Sequence, residues 1–299
     1  MLLNGLDERL FERFDSRDQF GLGIFVHMTI GSEVYSWGVT SLSTASFVAI
    51  DNGGSARSTV SALSADTGIR KVAIAFRMRP DAITAGANLF ADSAASTFRV
   101  WFPTTGAFRG QFFVSTRVQL RPVLTPTTVM KTHIITLDFT NPNAAQGCSW
   151  ATIEDGILLN NTTGSGGVFD SRSVAGSGSD YGAASLQASG SASALFHSSG
   201  DLGIFGESDG GGTLFDGAFE FMWIDWGGSG YTIPDITLAS IRNKWAAGII
   251  GANGNGPTGS QPKCFWTATD LTEANSGGGM PNLGSISSKP LVKQAGTYA

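Results

Sequence analysis

Carboxylates, imidazoles and tryptophans are the side chains here that could do chemistry, and their spacing decides which chemistry. Sandwich glycosidases set a general acid and a nucleophile on one strand, facing one sugar ring about 5–5.5 Å apart. The strand that would carry them reads Glu220-Phe-Met-Trp-Ile-Asp225. Five positions separate the carboxylates, so strict alternation puts them on opposite faces of the strand, which argues against a retaining glycosidase. His27, His133 and His197 are widely spaced and no G-x-S-x-G turn occurs, so a Ser-His-Asp triad has no local anchor. Each histidine falls in or near an expected strand and reads as a hydrogen-bonded structural residue. No catalytic residue is named, and the chain is not expected to be an enzyme. Cys148 and Cys264 show neither metal-ligand spacing nor a disulfide framework. Gly254 to Gly259 matches G-x-G-x-x-G formally, but Pro257 follows Gly256 and no βαβ unit surrounds it, so the match reads as a surface loop. Asn160 and Asn161 match the glycosylation pattern, which is idle without a secretion signal. Among the seven tryptophans, Trp101 and Trp226 fall at strand ends, where binding loops cluster, and a ring face there could stack on a pyranose. These two are the candidate ligand-binding residues.

Composition narrows the classes further. Charged residues make up 14% of the 299, against the ~25% of an ordinary domain, and there are 40 glycines. A helix-rich enzyme is disfavoured. The net charge is −5 and lysine and arginine nowhere cluster, so nucleic acid, whose binding draws on counterion release by basic patches, is not an expected partner. The opening MLLNGLDERL is too acidic for a signal peptide, and no run approaches the ~20 apolar residues of a membrane span. The expectation is a chain made in a cytoplasm without a leader or membrane span.

The elements that must position these residues follow from periodicity. Leu6, Leu10 and Phe14 recur at four-residue spacing within the charged segment Leu6 to Gln19, predicting a short amphipathic helix that packs on its own domain or docks on a partner. From Gly21 the period becomes two. In Val72 to Pro80, Val72, Ile74, Phe76 and Met78 point one way while Arg77 and Arg79 point the other, a half-buried strand ended by proline. Further strands are expected at Asn88–Ala91, Thr97–Phe102, Gly110–Val118, His133–Phe139, Trp150–Glu154, Ile157–Leu159, Ala194–His197, Leu202–Gly206 and Leu214–Trp226. The last is apolar on both parities, as in a strand covered on both faces. After it, Asp235 can cap a helix bearing Ile236, Leu238, Ile241 and Trp245, with Gly248 to stop it. Gly164 to Gly200 reads as a long loop with short edge strands, and the glycine-rich tail from Gly251 as a segment lying on a surface. Many short strands with turn residues between them predict an all-β antiparallel sandwich or barrel.

The order of these pieces resembles the concanavalin A-like jelly roll in its laminin G-like form. The residues that carry the likeness are Val72–Pro80, Asn88–Ala91 leading to Phe98–Phe102, Thr132–Asp138, Ile153-Glu-Asp-Gly-Ile157, Leu202–Gly206 and Phe215–Trp223. In that family the Asp-Gly pair marks a hairpin, and Asp-Gly tolerates the positive φ of a tight turn. The resemblance runs from Lys71 to Trp245 and implies an antiparallel jelly-roll β-sandwich; with the periodicity and composition above, the expected division is a helical arm over 1–22, the sandwich over 23–250 and a glycine-rich C-terminal extension over 251–299. It leaves calcium open as a ligand of loop carboxylates such as Asp92, Asp138, Asp155, Asp209 and Asp216, none at the spacing of an EF-hand loop. No metal ligand and no other cofactor is expected. The glycine-rich composition, six lysines against thirteen arginines, and the tail Asn253–Gly259 followed by Cys264-Phe-Trp266 also resemble phage virion proteins. That likeness implies a virion structural protein, a head decoration, head fibre or tail component, assembled in several copies. Its partners would be itself, other virion proteins and a host-surface glycan, with Leu6, Leu10 and Phe14 on the docking arm. The alternatives are a free-standing lectin-like carbohydrate-binding module and a glycan-cleaving enzyme.

Overall fold

In a computed structural model of the protein, the described residues are 25–30, 33–38, 47–61, 63, 71–92, 98–114, 116–122, 124–138, 148–160, 169–174, 180–181, 201–207, 210, 212–246 and 248–299. The chain divides into two compact units, Met1–Ser43 and Thr44–Ala299. In the first, β1 (Phe25–Ile30) and β2 (Glu33–Gly38) pair as an antiparallel hairpin. The helix expected along Leu6, Leu10 and Phe14 lies outside the described residues.

The second unit is an all-β sandwich. One sheet runs, in spatial order, β12 (Leu158–Asn160), β11 (Cys148–Thr152), β10 (Lys131–Asp138), β5 (Lys71–Ala82), β17 (Asp216–Gly227) and β18 (Cys264–Thr267), with β3 (Ile50–Asp51) also on β17. The other runs β14 (Asp180–Tyr181), β13 (Phe169–Val174), β9 (Thr116–Pro122), β8 (Ala107–Val114), β7 (Phe98–Thr104), β6 (Ala87–Asp92), β15 (Leu202–Ile204), β4 (Arg57–Val60) and β19 (Val292–Ala295). Among the described strand pairs every one is antiparallel except that of β16 (Thr213–Leu214) with β6, beside which Ala91 and Glu207 form an isolated parallel bridge. Among the described residues helix is confined to α1 (Ala239–Arg242), a 3₁₀ turn at Asn243–Trp245 and α2 (Leu271–Asn275). None is long and apolar enough to cross a membrane.

Alternation along β5 builds the core as the sequence predicts. Val72, Ile74, Phe76 and Met78 bury themselves among residues of the facing sheet, where aromatic pairs join the layers: Phe76 meets Phe90 edge-on at 5.3 Å and Phe108 meets Trp150 at 5.8 Å. Each such pair contributes roughly 0.5–1.5 kcal/mol beyond its area. The opposite face of the same sheet carries a second, smaller core, in which Phe221 and Trp223 of β17 pack with Ile236, Trp245, Ile250 and Phe265. Both faces of β17 are thereby covered, which explains its apolar residues on both parities.

Four expectations need correction. Pro80 does not end β5: the strand continues to Ala82, because a bulge in β17 sets Gly217 opposite the proline, and a bulge tolerates the missing N–H. Gly217 has φ 156°, and a Cβ there would lie 2.1 Å from the Arg79 carbonyl oxygen. Gly110–Val118 is not one strand but parts of two, β8 and β9, which pair as a hairpin. The helix after Asp235 begins only at Ala239, since the Asp235 carboxylate caps a preceding turn through Thr237 N at 3.0 Å. The tail from Gly251 enters both sheets, through β18 and β19. Within the Gly164–Gly200 segment, β13 and β14 are strands of the second sheet, and the rest, including Ala194–His197, lies outside the described residues.

Candidate functional site

Titratable side chains converge around one turn of the first sheet. The hairpin between β11 and β12 turns at Ile153-Glu-Asp-Gly156, with Gly156 at φ 63° as an Asp-Gly turn requires. The turn places Glu154 on the outer face of the sheet and Asp155 beside β10.

Outside, Arg77 of β5 stands opposite Thr132 of β10 and Phe221 of β17. Its Nε donates to Glu220 Oε2 at 2.8 Å, and its Nη1 donates to Thr132 Oγ1 at 3.1 Å and to Glu154 Oε1. Glu154 also accepts from the Thr132 backbone N–H at 2.7 Å and the Thr132 hydroxyl at 3.0 Å. One guanidinium thus lies between two carboxylates. Beside it, Lys131 Nζ contacts Asp155 Oδ2 at 2.6 Å.

Inside, directly across the strand pair from Thr152, lies His133. Its ring stacks on Phe76 at 5.1 Å, and its Nδ1 accepts the Trp150 indole N–H at 3.2 Å. That bond fixes the neutral tautomer with its proton on Nε2. Burial, reinforced by Lys131 against a weaker pull from Asp155, lowers the imidazole pKa from 6.5 to about 3. The ring is therefore uncharged near pH 7 and a weaker base than an ordinary histidine. With Met78, Pro80, Phe108, Thr127, Lys131, Thr152 and Asp155 it lines a small space of about 10 Å³, whose wall includes residues of the loop 124–130. The hydroxyls of Thr127 and Thr152 are buried there without a protein partner.

The residues expected to bind ligand lie elsewhere and apart. Trp226, expected at a strand end beside binding loops, is 2% exposed and belongs to the core between the sheets, so its ring offers no open face to a sugar. Trp101 belongs to the other sheet, is 7% exposed, and carries the Arg99 guanidinium 3.9 Å from its ring centre. Leu6, Leu10 and Phe14 are outside the described residues.

Glu220 and Asp225 do not lie on opposite faces of β17 as strict alternation predicts. A bulge between Phe219 and Phe221 breaks the alternation. Both carboxylates consequently reach the outer face: Glu220 bonds Arg77, and Asp225 shares the parity of Phe221 and Trp223. Distance separates them instead, since five residues of strand span about 16 Å, beyond even the ~9.5 Å limit of inverting pairs. Asp225 is buried, which raises its pKa, and it accepts from the backbone N–H of Trp226 at 3.1 Å and of Lys263 at 3.2 Å. Burial also raises the Cys264 thiol, leaving it protonated near neutral pH. Among the described residues no three His, Cys, Asp or Glu side chains are placed to share a metal ion.

No protein-family model and no curated protein matches the chain. Among solved structures it is similar to the heptameric SAP-like pentraxin of Limulus polyphemus, at 11% identity and TM-score 0.32 over 60% of this chain and 75% of the pentraxin. It is also similar to full-length tailspike protein 2 of the Escherichia coli O157:H7 bacteriophage CAB120, at 13% identity and TM-score 0.29 over 69% of this chain. The likeness spans 25% of the tailspike's length. Scores of this size carry no argument, and the fold rests on the strand pairing above.

The hairpin turn, Arg77 and Glu220 were all visible in the sequence, but their meeting was not. Thr127 and Thr152 gave no signal, because a threonine in a strand or a proline-punctuated loop is unremarkable until its hydroxyl is found buried.

Proposed function

We propose that this chain is a structural protein of a bacteriophage virion, a concanavalin A-like jelly roll that assembles in several copies and performs no catalysis. One observation carries the non-catalytic part. Where titratable groups converge most densely, each charge is engaged by a neighbour in the same chain: Arg77 by Glu154 and Glu220, Lys131 by Asp155. The histidine beside them is neutral and holds an indole. Such a site fixes a hairpin against a sheet; it presents no activated nucleophile and no base poised near neutrality. The assembly part is supported by composition, since a weakly charged, glycine-rich β surface suits repeated self-contact.

Light scattering after size exclusion, from 1 to 100 µM protein, tests the assembly. A discrete multimer is expected, with rings or trimers in negative stain. A monodisperse monomer over the whole range overturns it. Hydrolytic turnover on a glycan panel that is abolished by Glu220→Gln would overturn the non-catalytic reading.

A further inference from the structure

The cavity beside His133 brings together groups that the fold leaves without partners. Thr152, 1% exposed, projects from β11 directly opposite His133, and its hydroxyl has no protein partner. The Thr127 hydroxyl, from the loop that lines the cavity, has none either. The His133 Nδ1 is occupied by Trp150, and among the described residues no group bonds Nε2. A buried polar atom without a hydrogen bond costs roughly 1–3 kcal/mol, and two such hydroxyls beside one small space are rarely left so.

We propose that this cavity is a binding site for a single water molecule, held by the His133 Nε2–H and the hydroxyls of Thr127 and Thr152. The space decides the ligand. A cavity of about 10 Å³ is close to the smallest that holds one water, and a buried water needs two to four polar partners. An organic molecule does not fit. An anion has no unpaired cation to meet, since Lys131 is held by Asp155 at 2.6 Å. A metal ion finds one imidazole, whose acceptor nitrogen is already taken. The water accepts from the imidazole and exchanges hydrogen bonds with the two hydroxyls. It therefore links the loop 124–130, through Thr127, to the paired strands β10 and β11.

The sign of one substitution tests this. Thr152→Val keeps the shape and removes the hydroxyl. If the hydroxyl binds water, the melting temperature falls by about 2–4 °C, as expected for losing one buried hydrogen bond in a domain of this size. If the hydroxyl is an orphan in a dry space, removing it leaves the melting temperature unchanged or raises it, and the proposal fails. Should that variant not fold, the wild-type protein still decides. In ¹⁵N-histidine spectra, a slowly exchanging Nε2–H with a cross-peak to a long-lived water supports the site. An Nδ1–H tautomer, or no water contact, overturns it. In a crystal structure at high resolution, one solvent oxygen within about 3 Å of Nε2 and of a threonine Oγ is the expected result; a bound halide or a collapsed cavity refutes it.

Discussion

Two cavities lie within the same sandwich and share Met78, yet their linings differ. One, about 10 Å³, mixes the polar His133, Thr125, Thr127, Thr152, Lys131 and Asp155 with the apolar Met78, Pro80, Phe108, Leu124 and Val129. The other, about 20 Å³, is bounded only by apolar side chains: Phe76, Met78, Leu89, Phe90, Ile204, Phe205, Phe215, Phe219 and Met222. The first offers hydrogen bonds and calls for solvent; the second offers none and stays dry, forfeiting only dispersion contacts. The difference originates in what lines each space. A threonine-bearing loop lines the polar one. The apolar one is lined by Phe205, a non-glycine residue held at φ 69° and packed on Phe215, Phe219 and Tyr298. A left-handed aromatic residue costs roughly 1–2 kcal/mol, which the packing of its ring must exceed.

Met78 is the only residue lining both described cavities, so Met78→Ala is the most direct way to erase the distinction. A loss of about 2–5 kcal/mol is expected, read as a lower urea midpoint with an unchanged slope. A loss below about 1 kcal/mol would mean that the two spaces collapse independently, and the sharing of Met78 would have no consequence.

Acid acts on one cavity alone. The folded His133 pKa of about 3 lies below the ~6.5 of an unfolded histidine. Between those values the unfolded chain binds a proton that the folded chain refuses. The stability associated with the neutral ring is therefore complete above pH 6.5 and is lost as pH falls toward 3. At pH 4 the loss amounts to about 3 kcal/mol. Urea midpoints at pH 7 and pH 4 should fall much further for wild type than for His133→Met. Parallel losses in both proteins would show that carboxylates, not this imidazole, set the acid limit.

Alternation alone revealed much of this. Val72 to Met78 declared which face of β5 is core, the doubly apolar β17 declared a second covered face, and Asp155-Gly156 declared its hairpin. What failed did so where one residue breaks the period. The bulge at Glu220 turned a sound parity argument about two carboxylates into a wrong one, and the bulge at Gly217 carried a strand past Pro80. Trp226 misled for another reason: a position near a strand end says nothing about which sheet packs over the ring. The cavity threonines were illegible, because burial of a hydroxyl depends on a loop's path and not on the strand's own pattern.

The outer-face cluster separates burial from chemistry. Arg77, Glu154 and Glu220 are as polar as the groups around His133, but their side chains keep 19%, 30% and 18% of their exposure. Water therefore reaches them, and their attraction is screened. Arg77→Met should cost about 1–2 kcal/mol, less than Met78→Ala, part of it repulsion between the two carboxylates it leaves facing each other. Glu220→Gln on the Arg77→Met background should restore part of that loss, and 0.5 M salt should do the same, measured as melting temperature. Neither treatment should restore Thr152→Val, whose lost bond is inside and uncharged. If salt restores both, the His133 cavity is as open to solvent as the surface cluster, and the two cavities differ in depth and not in kind.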